Sequence, residues 1–369
     1  MAVATQEALY RGLDLELSWS ERELPERERT KHVHRLHPYL GKFVPQLVQA
    51  LLERYVRPGG RVLDPFAGSG TTLVQALESG HDAVGVDVAA FNALLASVKT
   101  RPYDLELLER ELREAHSALG RSRRRPQGYV RDWFAPGAAA ELLHFRASLE
   151  AAEHADVLRV VLARAARSAR LTPHYDLDFP RAPQRGEYWC HKHRRTCRPV
   201  ETAHKFLSRY LLDTLARLQA FSAVRDARRA AVVLHGDARE IELGGPYAGV
   251  VTSPPYPGLI DYHEQHRYAY ELLGLDDRRE RELGAAAAGT SRAAIAAYVA
   301  SIGTVLARVR EALEPGAPVC IVVNDRRGLY SEILARAGLR LDERLERHVN
   351  RRTGRRAGEY YESILVARA

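Results

Sequence analysis

Residues 61–72, Arg61-Val62-Leu63-Asp64-Pro65-Phe66-Ala67-Gly68-Ser69-Gly70-Thr71-Thr72, decide the fold. A short apolar strand closes on an acid, and two glycines then turn the chain into a helix carrying Leu73, Val74 and Ala76. Gly68 and Gly70 allow a sharp turn and a close approach to a ligand, with no Cβ in the way. Further on, Ala83-Val84-Gly85-Val86-Asp87 is a second apolar strand that again ends in a carboxylate. Together they read as the opening of an open α/β sheet, which places its ligands beyond the carboxyl ends of its strands.

A second landmark is Thr252-Ser253-Pro254-Pro255-Tyr256-Pro257, which follows the apolar run Tyr247, Ala248, Val250 and Val251. Consecutive prolines cannot continue a sheet, because each lacks an N–H and has a fixed φ. The result is a rigid turn at a strand end. It offers carbonyl oxygens without ladder partners, a serine hydroxyl and an aromatic ring, which suit a planar base bearing an exocyclic amine.

Ser253-Pro254-Pro255-Tyr256 resembles the catalytic motif of the amino-methyltransferases, which methylate cytosine N4 or adenine N6 in DNA. Residues 64–72 resemble the S-adenosylmethionine loop of that family, and the resemblance covers residues 31–100 and 230–369. It implies a Rossmann-like methyltransferase fold: a mostly parallel seven-stranded sheet, a C-terminal antiparallel hairpin and, in this chain, a largely helical insertion. The cofactor residues it implies are Asp64, Pro65, Phe66, Gly68, Ser69, Gly70, Thr71 and Thr72, with Asp87 on the ribose and Asp237 of His235-Gly236-Asp237 near the adenine. Lys42 and Phe43, in His37-Pro-Tyr-Leu-Gly-Lys-Phe-Val-Pro45, resemble the segment that closes over the methyl donor. Plain alternatives stand beside three of these: a turn into a core helix for residues 37–45, a helix cap for Asp87 and an ordinary Gly-Asp turn for Asp237.

The amine is a poor nucleophile while its lone pair is delocalised into the ring. The resemblance implies that Ser253 and the Pro254 carbonyl accept its protons, while Pro255 stiffens the turn and Tyr256 stacks on a base flipped from duplex DNA. Serine before Pro-Pro-Tyr resembles the cytosine-N4 enzymes, so cytosine is preferred over adenine. Cytosine C5 chemistry needs a thiolate nucleophile, and the Pro-Cys dipeptide of those enzymes is absent. The order of motifs resembles the class that carries target recognition between the cofactor and catalytic motifs. A cognate restriction endonuclease is a further partner that the resemblance suggests.

The remaining composition agrees. The chain has 369 residues and a net charge of +8, with an isoelectric point near 9.4, which favours a polyanionic partner. Three cysteines are too few for a disulfide framework and point to a reducing cytosol. No run approaches the roughly 18 apolar residues of a membrane span, and residues 1–30 carry no apolar leader core. The expectation is a soluble, cytoplasmic enzyme.

Four regions follow: a charged arm over residues 1–30, a cofactor half over 31–100, an insertion over 101–230 and a catalytic half over 231–369. In the insertion, Tyr188-Trp189-Cys190-His191-Lys192-His193-Arg194-Arg195-Thr196-Cys197-Arg198 interleaves cations with aromatics, as a nucleic-acid face requires. Arg194, Arg195 and Arg198 are the phosphate candidates, joined by Arg351 and Arg352 in a basic C-terminal loop. Cys190, His193 and Cys197 raise the question of zinc, with His204 as a fourth ligand. The favoured reading is instead a basic surface loop with free thiols, because Cys190 and His191 are adjacent and no second Cys-x-x-Cys follows. Two other functions stay open on the sequence: an RNA base methyltransferase using the same turn, and a silent nucleic-acid-binding relic of the fold.

Overall fold

The computed structural model describes residues 14–20, 22–41, 43–178, 180–349 and 360–369. Lys42, Arg351 and Arg352 lie outside the described residues. The strands in chain order are β1 (Val62–Asp64), β2 (Ala83–Asp87), β3 (Tyr188–Cys190), β4 (Arg195–Cys197), β5 (Ala231–His235), β6 (Gly249–Thr252), β7 (Val319–Val323), β8 (Arg340–Val349) and β9 (Tyr360–Arg368). Seven of them form one sheet in the order β5-β2-β1-β6-β7-β9-β8, while β3 and β4 pair separately. The pairs β5–β2, β2–β1, β1–β6 and β6–β7 are parallel. β9 runs antiparallel to both β7 and β8. This is the mostly parallel seven-stranded sheet with a terminal antiparallel pair that the sequence predicts. The strand order reverses between β1 and β6, which is where such sheets bind ligands.

Alternation along the strands sends side chains to two covered faces. Val62, Val251, Cys320 and Val322 face one cluster, shared with Leu47, Val48, Leu51 and Leu52 of α1 (Pro45–Tyr55) and with Leu73 and Ala76 of α2 (Thr71–Glu78). Leu63, Val250, Val319, Ile321 and Val323 face the other. Both faces are buried, so these central strands read as continuous apolar runs.

The insertion does not stand apart from the sheet. Phe91, Leu95 and Val98 of α3 (Ala90–Thr100) share one core with α4 (Leu105–Ser117), α5 (Gly128–Trp133), α6 (Pro136–Ser148), α7 (Ala155–Ala169) and α8 (His204–Ser222). Tyr268 and Leu272 of α9 (Arg267–Leu273), which follows the Pro-Pro turn in sequence, join that same core. α6 and α7 are separate helices, because the α-helical path is interrupted between Ser148 and Ala155.

On the opposite sheet face lie α10 (Arg292–Glu311) and α11 (Tyr330–Ala337). By length and composition α10 alone among the described helices is apolar enough to cross a membrane, with a mean hydropathy of 1.3 over its most apolar stretch. The sequence reading found no such run. The difference arises because alanines on the exposed side add to Tyr298, Val299, Ile302, Val305, Leu306 and Val309, which are buried against the sheet.

Residues 14–20 depart from the expected solvated arm. The Asp14 N–H donates to the Glu346 carbonyl at 2.8 Å, the His348 N–H donates to Ser18 Oγ at 3.1 Å, and Leu17 is 1% exposed in the sheet core. The segment covers the outer strand β8, where an open edge invites unwanted pairing. Its charges fall where they pair: Arg54 reaches Asp14 at 2.9 Å and Glu16 at 3.0 Å. Leu17→Ala should therefore lower stability in urea unfolding by about 2–4 kcal/mol. A loss below about 0.5 kcal/mol, the size of a surface effect, would show that the segment is not packed there.

Candidate active site at the strand switch

The carboxyl ends of β1, β2, β5 and β6 open into one cleft of about 800 Å³, counting its open mouth. Its lining includes Pro65, Phe66, Gly68, Ser69 and Thr71 from the loop after β1, Asp87 from β2, Asp237 from the turn after β5, and Ser253 and Pro255 from the turn after β6. Phe43 closes one side. Four sequence segments thus meet where the sheet order reverses.

Three residues assigned to cofactor contact do not line the cleft. Asp64, Gly70 and Thr72 sit beneath the loop. Asp64 is 1% exposed; its Oδ1 accepts from the Phe66 N–H at 3.1 Å and from Thr252 Oγ1 at 2.6 Å. Burial pushes its carboxyl up to about 6, against the opposing hydrogen bonds of Thr252, Thr72 and the Phe66 amide. Thr72 Oγ1 donates to the Val251 carbonyl at 3.1 Å, a second tie to β6. Gly70 has φ 79°, and a Cβ there would lie 2.9 Å from the Ala96 methyl, so the loop packs directly on α3. The fully buried Lys99 of α3 donates to the Ser69 carbonyl at 2.6 Å and fixes the loop from below.

Asp87 lies at the cleft wall with its carboxylate oriented by three donors. Oδ2 accepts from the Gly68 N–H at 2.8 Å, and Oδ1 accepts from the Ala89 N–H at 2.8 Å and Asn92 Nδ2 at 3.2 Å. Burial nevertheless raises it to about 7. Asp237 behaves oppositely. Burial would raise it, but the Arg239 fork at 3.0 Å and 2.6 Å holds it below the usual carboxylate range.

In the turn at residues 253–256, Ser253 Oγ donates its proton to the Val322 carbonyl at 2.9 Å. Its lone pairs therefore remain available to accept. The Pro255 carbonyl takes the Tyr298 hydroxyl at 3.0 Å, whereas no hydrogen bond to the Pro254 carbonyl is found among the described residues. Pro254 is buried and Tyr256 packs on the cluster that holds Tyr298 and Tyr330; neither lines the cleft.

Sequence reasoning missed a second set of walls. Tyr39 and Tyr262 stack at 5.3 Å with an interplanar angle of 11°, and both line the cleft. Asn92 donates to the Tyr39 hydroxyl at 3.2 Å. A Cβ at Gly68, where φ is 50°, would lie 2.9 Å from that hydroxyl, so the glycine keeps the space under Tyr39 open. Glu282 also lines the cleft and accepts from the His263 N–H at 3.0 Å. The only signal for Tyr39 was its place in the closing segment; Tyr262 had none beyond its nearness to the catalytic turn.

Among the proposed phosphate contacts, Arg194, Arg195 and Arg198 are exposed on the β3–β4 hairpin. Arg198 is paired with Glu187 at 2.7 Å.

A family described as DNA methylase matches residues 5–96. A type II methyltransferase of Methanocaldococcus jannaschii, M.MjaII, is 33% identical across 97% of this chain and 84% of its own length. A shorter likeness links 23% of this chain to 20% of M.MvaI, a type II methyltransferase of Kocuria varians, at 34% identity. Among solved structures, TrmN from Thermus thermophilus aligns with 89% of this chain and 50% of its own at 14% identity and a TM-score of 0.36. The chain belongs to the DNA amino-methyltransferase family. The family match begins at residue 5, within the segment read from the sequence as an arm.

The Asp64–Thr252 tie has a testable consequence. Thr252→Val should lower stability by about 1–3 kcal/mol at pH 8, because a buried, ionised acid then loses a donor. Thr252→Ser, which keeps the hydroxyl, should stay closer to wild type in the same chemical denaturation. Equal stability of the valine variant and wild type would contradict the assignment.

Proposed function

We propose that this protein transfers a methyl group from S-adenosylmethionine to the exocyclic amine of a base flipped out of duplex DNA, cytosine N4 in preference to adenine N6. The observation that carries this reading is the position of Ser253: its hydroxyl points its proton at Val322 and its lone pairs elsewhere, beside a cleft walled by the glycine loop and Asp87.

The cleft suits a nucleoside sulfonium. It offers the Asp87 carboxylate to ribose hydroxyls, the stacked Tyr39–Tyr262 pair as an aromatic wall, and the Gly68 hollow that a Cβ would fill. Asp237, held by Arg239, keeps the turn after β5 in shape and presents its backbone to the adenine edge. When bound, S-adenosylmethionine supplies a methyl group made electrophilic by the adjoining sulfonium.

The protein's part is to orient and to accept protons. Ser253 Oγ and the Pro254 carbonyl accept hydrogen bonds from the amine and localise its lone pair towards the donor. Pro254 and Pro255 hold these acceptors without rearrangement, so little orientation is left to settle during the reaction. Tyr256 presents its ring to the extruded base, replacing stacking lost from the duplex. Serine at 253, in place of aspartate or asparagine, is the residue that favours cytosine. The exposed Arg194 and Arg195 contribute phosphate contacts, and Arg198, Arg351 and Arg352 are assigned to the same role. A cognate endonuclease recognising the same site fits the type II names of the relatives.

Mass spectrometry of nucleosides from duplex DNA and from RNA, each incubated with the protein and S-adenosylmethionine, tests this reading. N4-methylcytosine from DNA is the expected product. Methylated adenine would overturn the base assignment, and methylated RNA alone would overturn the substrate. Ser253→Ala and Tyr256→Ala should each reduce transfer by about 10²-fold or more, while cofactor affinity in calorimetry stays within about threefold. Full activity in either variant would remove that residue from the mechanism.

Asp87 gives a pH prediction with a definite sign. Its carboxyl is raised to about 7 in the free protein, and ribose hydroxyls bind the ionised form better. Affinity for S-adenosylmethionine should therefore fall as pH drops below about 7, approaching tenfold per unit. Asp87→Asn should bind more weakly at pH 8 and flatten that profile. A wild-type affinity independent of pH between about 5.5 and 8.5 would contradict the assignment.

A further inference from the structure

The β3–β4 hairpin consists of two three-residue strands, too short to hold together by pairing alone. Beside it runs the irregular segment 171–178, held by the Leu171 N–H to the Trp133 carbonyl, by Arg170 to the Leu177 carbonyl and by the His174 N–H to the Tyr188 hydroxyl. Between hairpin and segment sit four side chains of one chemical kind: His174, Cys190, His193 and Cys197, whose potential ligand atoms all lie within 4.8 Å of one another. Both sulfurs are buried, Cys190 at 0% and Cys197 at 7% exposure.

We infer that these four residues bind a zinc ion that staples the hairpin to the segment 171–178. The distances fit a tetrahedron. His193 Nδ1 is 3.5 Å from Cys190 Sγ and 3.4 Å from Cys197 Sγ; with ordinary zinc–sulfur and zinc–nitrogen bonds, the sulfur–nitrogen edge is about 3.6 Å. Hydrogen bonding does not account for the arrangement, because one ring nitrogen offers a single proton or a single lone pair and cannot serve two thiols. His174 Nδ1 is buried without a hydrogen-bond partner, and its ring lies 4.9 Å from that of His193. A metal at the centre engages all four groups together.

The backbone is built for it. In the hairpin, Cys190 pairs with Arg195 and Tyr188 with Cys197, so the two cysteines share one face on a diagonal. The turn between them folds back through Arg194 N–H to the Cys190 carbonyl at 2.7 Å, with Arg194 held at φ 52°, an unusual value for a residue other than glycine. The sequence objection to adjacent Cys190 and His191 disappears, since His191 is outside the cluster and packs edge-on to Tyr175 at 5.7 Å. The fourth ligand is His174 and not His204, which begins α8 and is exposed.

On binding, each cysteine thiol releases its proton to solvent and donates a sulfur lone pair, and the two histidines donate as neutral imidazoles. Two thiolates neutralise the ion, and no open ligand position is left, which makes the site structural. It would fix the hairpin that carries Trp189, Arg194 and Arg195 against the helical insertion. The inference stands on this cluster alone and is independent of the methyl-transfer reading.

Elemental analysis of the full chain, purified without chelator and passed over a metal-scavenging resin, should find one zinc per molecule. Replacement by cobalt(II) should give the thiolate-to-metal charge-transfer band of a two-sulfur tetrahedral site. Cys190→Ser and His174→Ala should each lose the metal, whereas Cys320→Ser and His204→Ala should retain it. His174→Cys supplies a different zinc donor at the same place and should also retain it, which separates loss of a ligand from loss of folding. A wild-type chain without stoichiometric zinc, a Cys190–Cys197 disulfide in the purified protein, or zinc retained in both Cys190→Ser and Cys197→Ser would overturn the inference.

Discussion

The 2.6 Å hydrogen bond from Thr252 Oγ1 to Asp64 Oδ1 joins the ends of β1 and β6 where the strand order reverses. On one side of it the chain turns into the glycine loop; on the other it turns into Ser253-Pro254-Pro255-Tyr256. Parallel strands leave their carboxyl ends splayed as the sheet twists. Holding the donor loop and the proposed amine-binding turn at one spacing therefore requires a tie between them. Asp64 provides it by accepting from Thr252 and from the Phe66 amide at once, and Thr72 adds a second tie to the Val251 carbonyl. The position has an energetic cost, since the acid is buried and raised to about 6.

This arrangement explains what the sequence could and could not reveal. Strand ends, loop composition and the Pro-Pro turn are local properties, so an open α/β sheet with a ligand loop at its strand ends was legible, while the seven-stranded sheet and the places of Gly68, Asp87, Asp237 and Ser253 in the cleft came through the resemblance those motifs carry. Asp64 was read as facing the ligand because an acid at the end of a β1-type strand serves either role. Only the position of Thr252, far along the chain, shows that it serves as a brace. Tyr39 and Tyr262 became a cleft wall through a contact between distant segments that no periodicity records. Residues 14–20 were read as part of a charged arm because the dense mixed charges of residues 21–30 dominate the pattern, while Leu17 and Trp19, which pack against the sheet core, are only two apolar side chains.

The hairpin was illegible for a different reason. Three-residue strands carry too little alternation to be recognised, and the approach of His174 to Cys190, His193 and Cys197 depends on how the irregular segment folds back. The basic composition of the region was visible; its order was not. The α3 helix links this region to the cleft physically. It contributes Asn92, which donates to the Tyr39 hydroxyl at the cleft wall, and Lys99, which holds the Ser69 carbonyl of the glycine loop, while Phe91, Leu95 and Val98 enter the core of the insertion.

A double-mutant cycle on the brace measures the central claim most directly: methyl transfer by wild type, Asp64→Ala, Thr252→Val and the double variant at saturating DNA. If Thr252 acts on the site through Asp64, the second substitution should cost little once the first is made, giving a coupling of about 1 kcal/mol or more. Losses that simply add, within about 0.3 kcal/mol, would show that the two turns are positioned independently and would contradict the account.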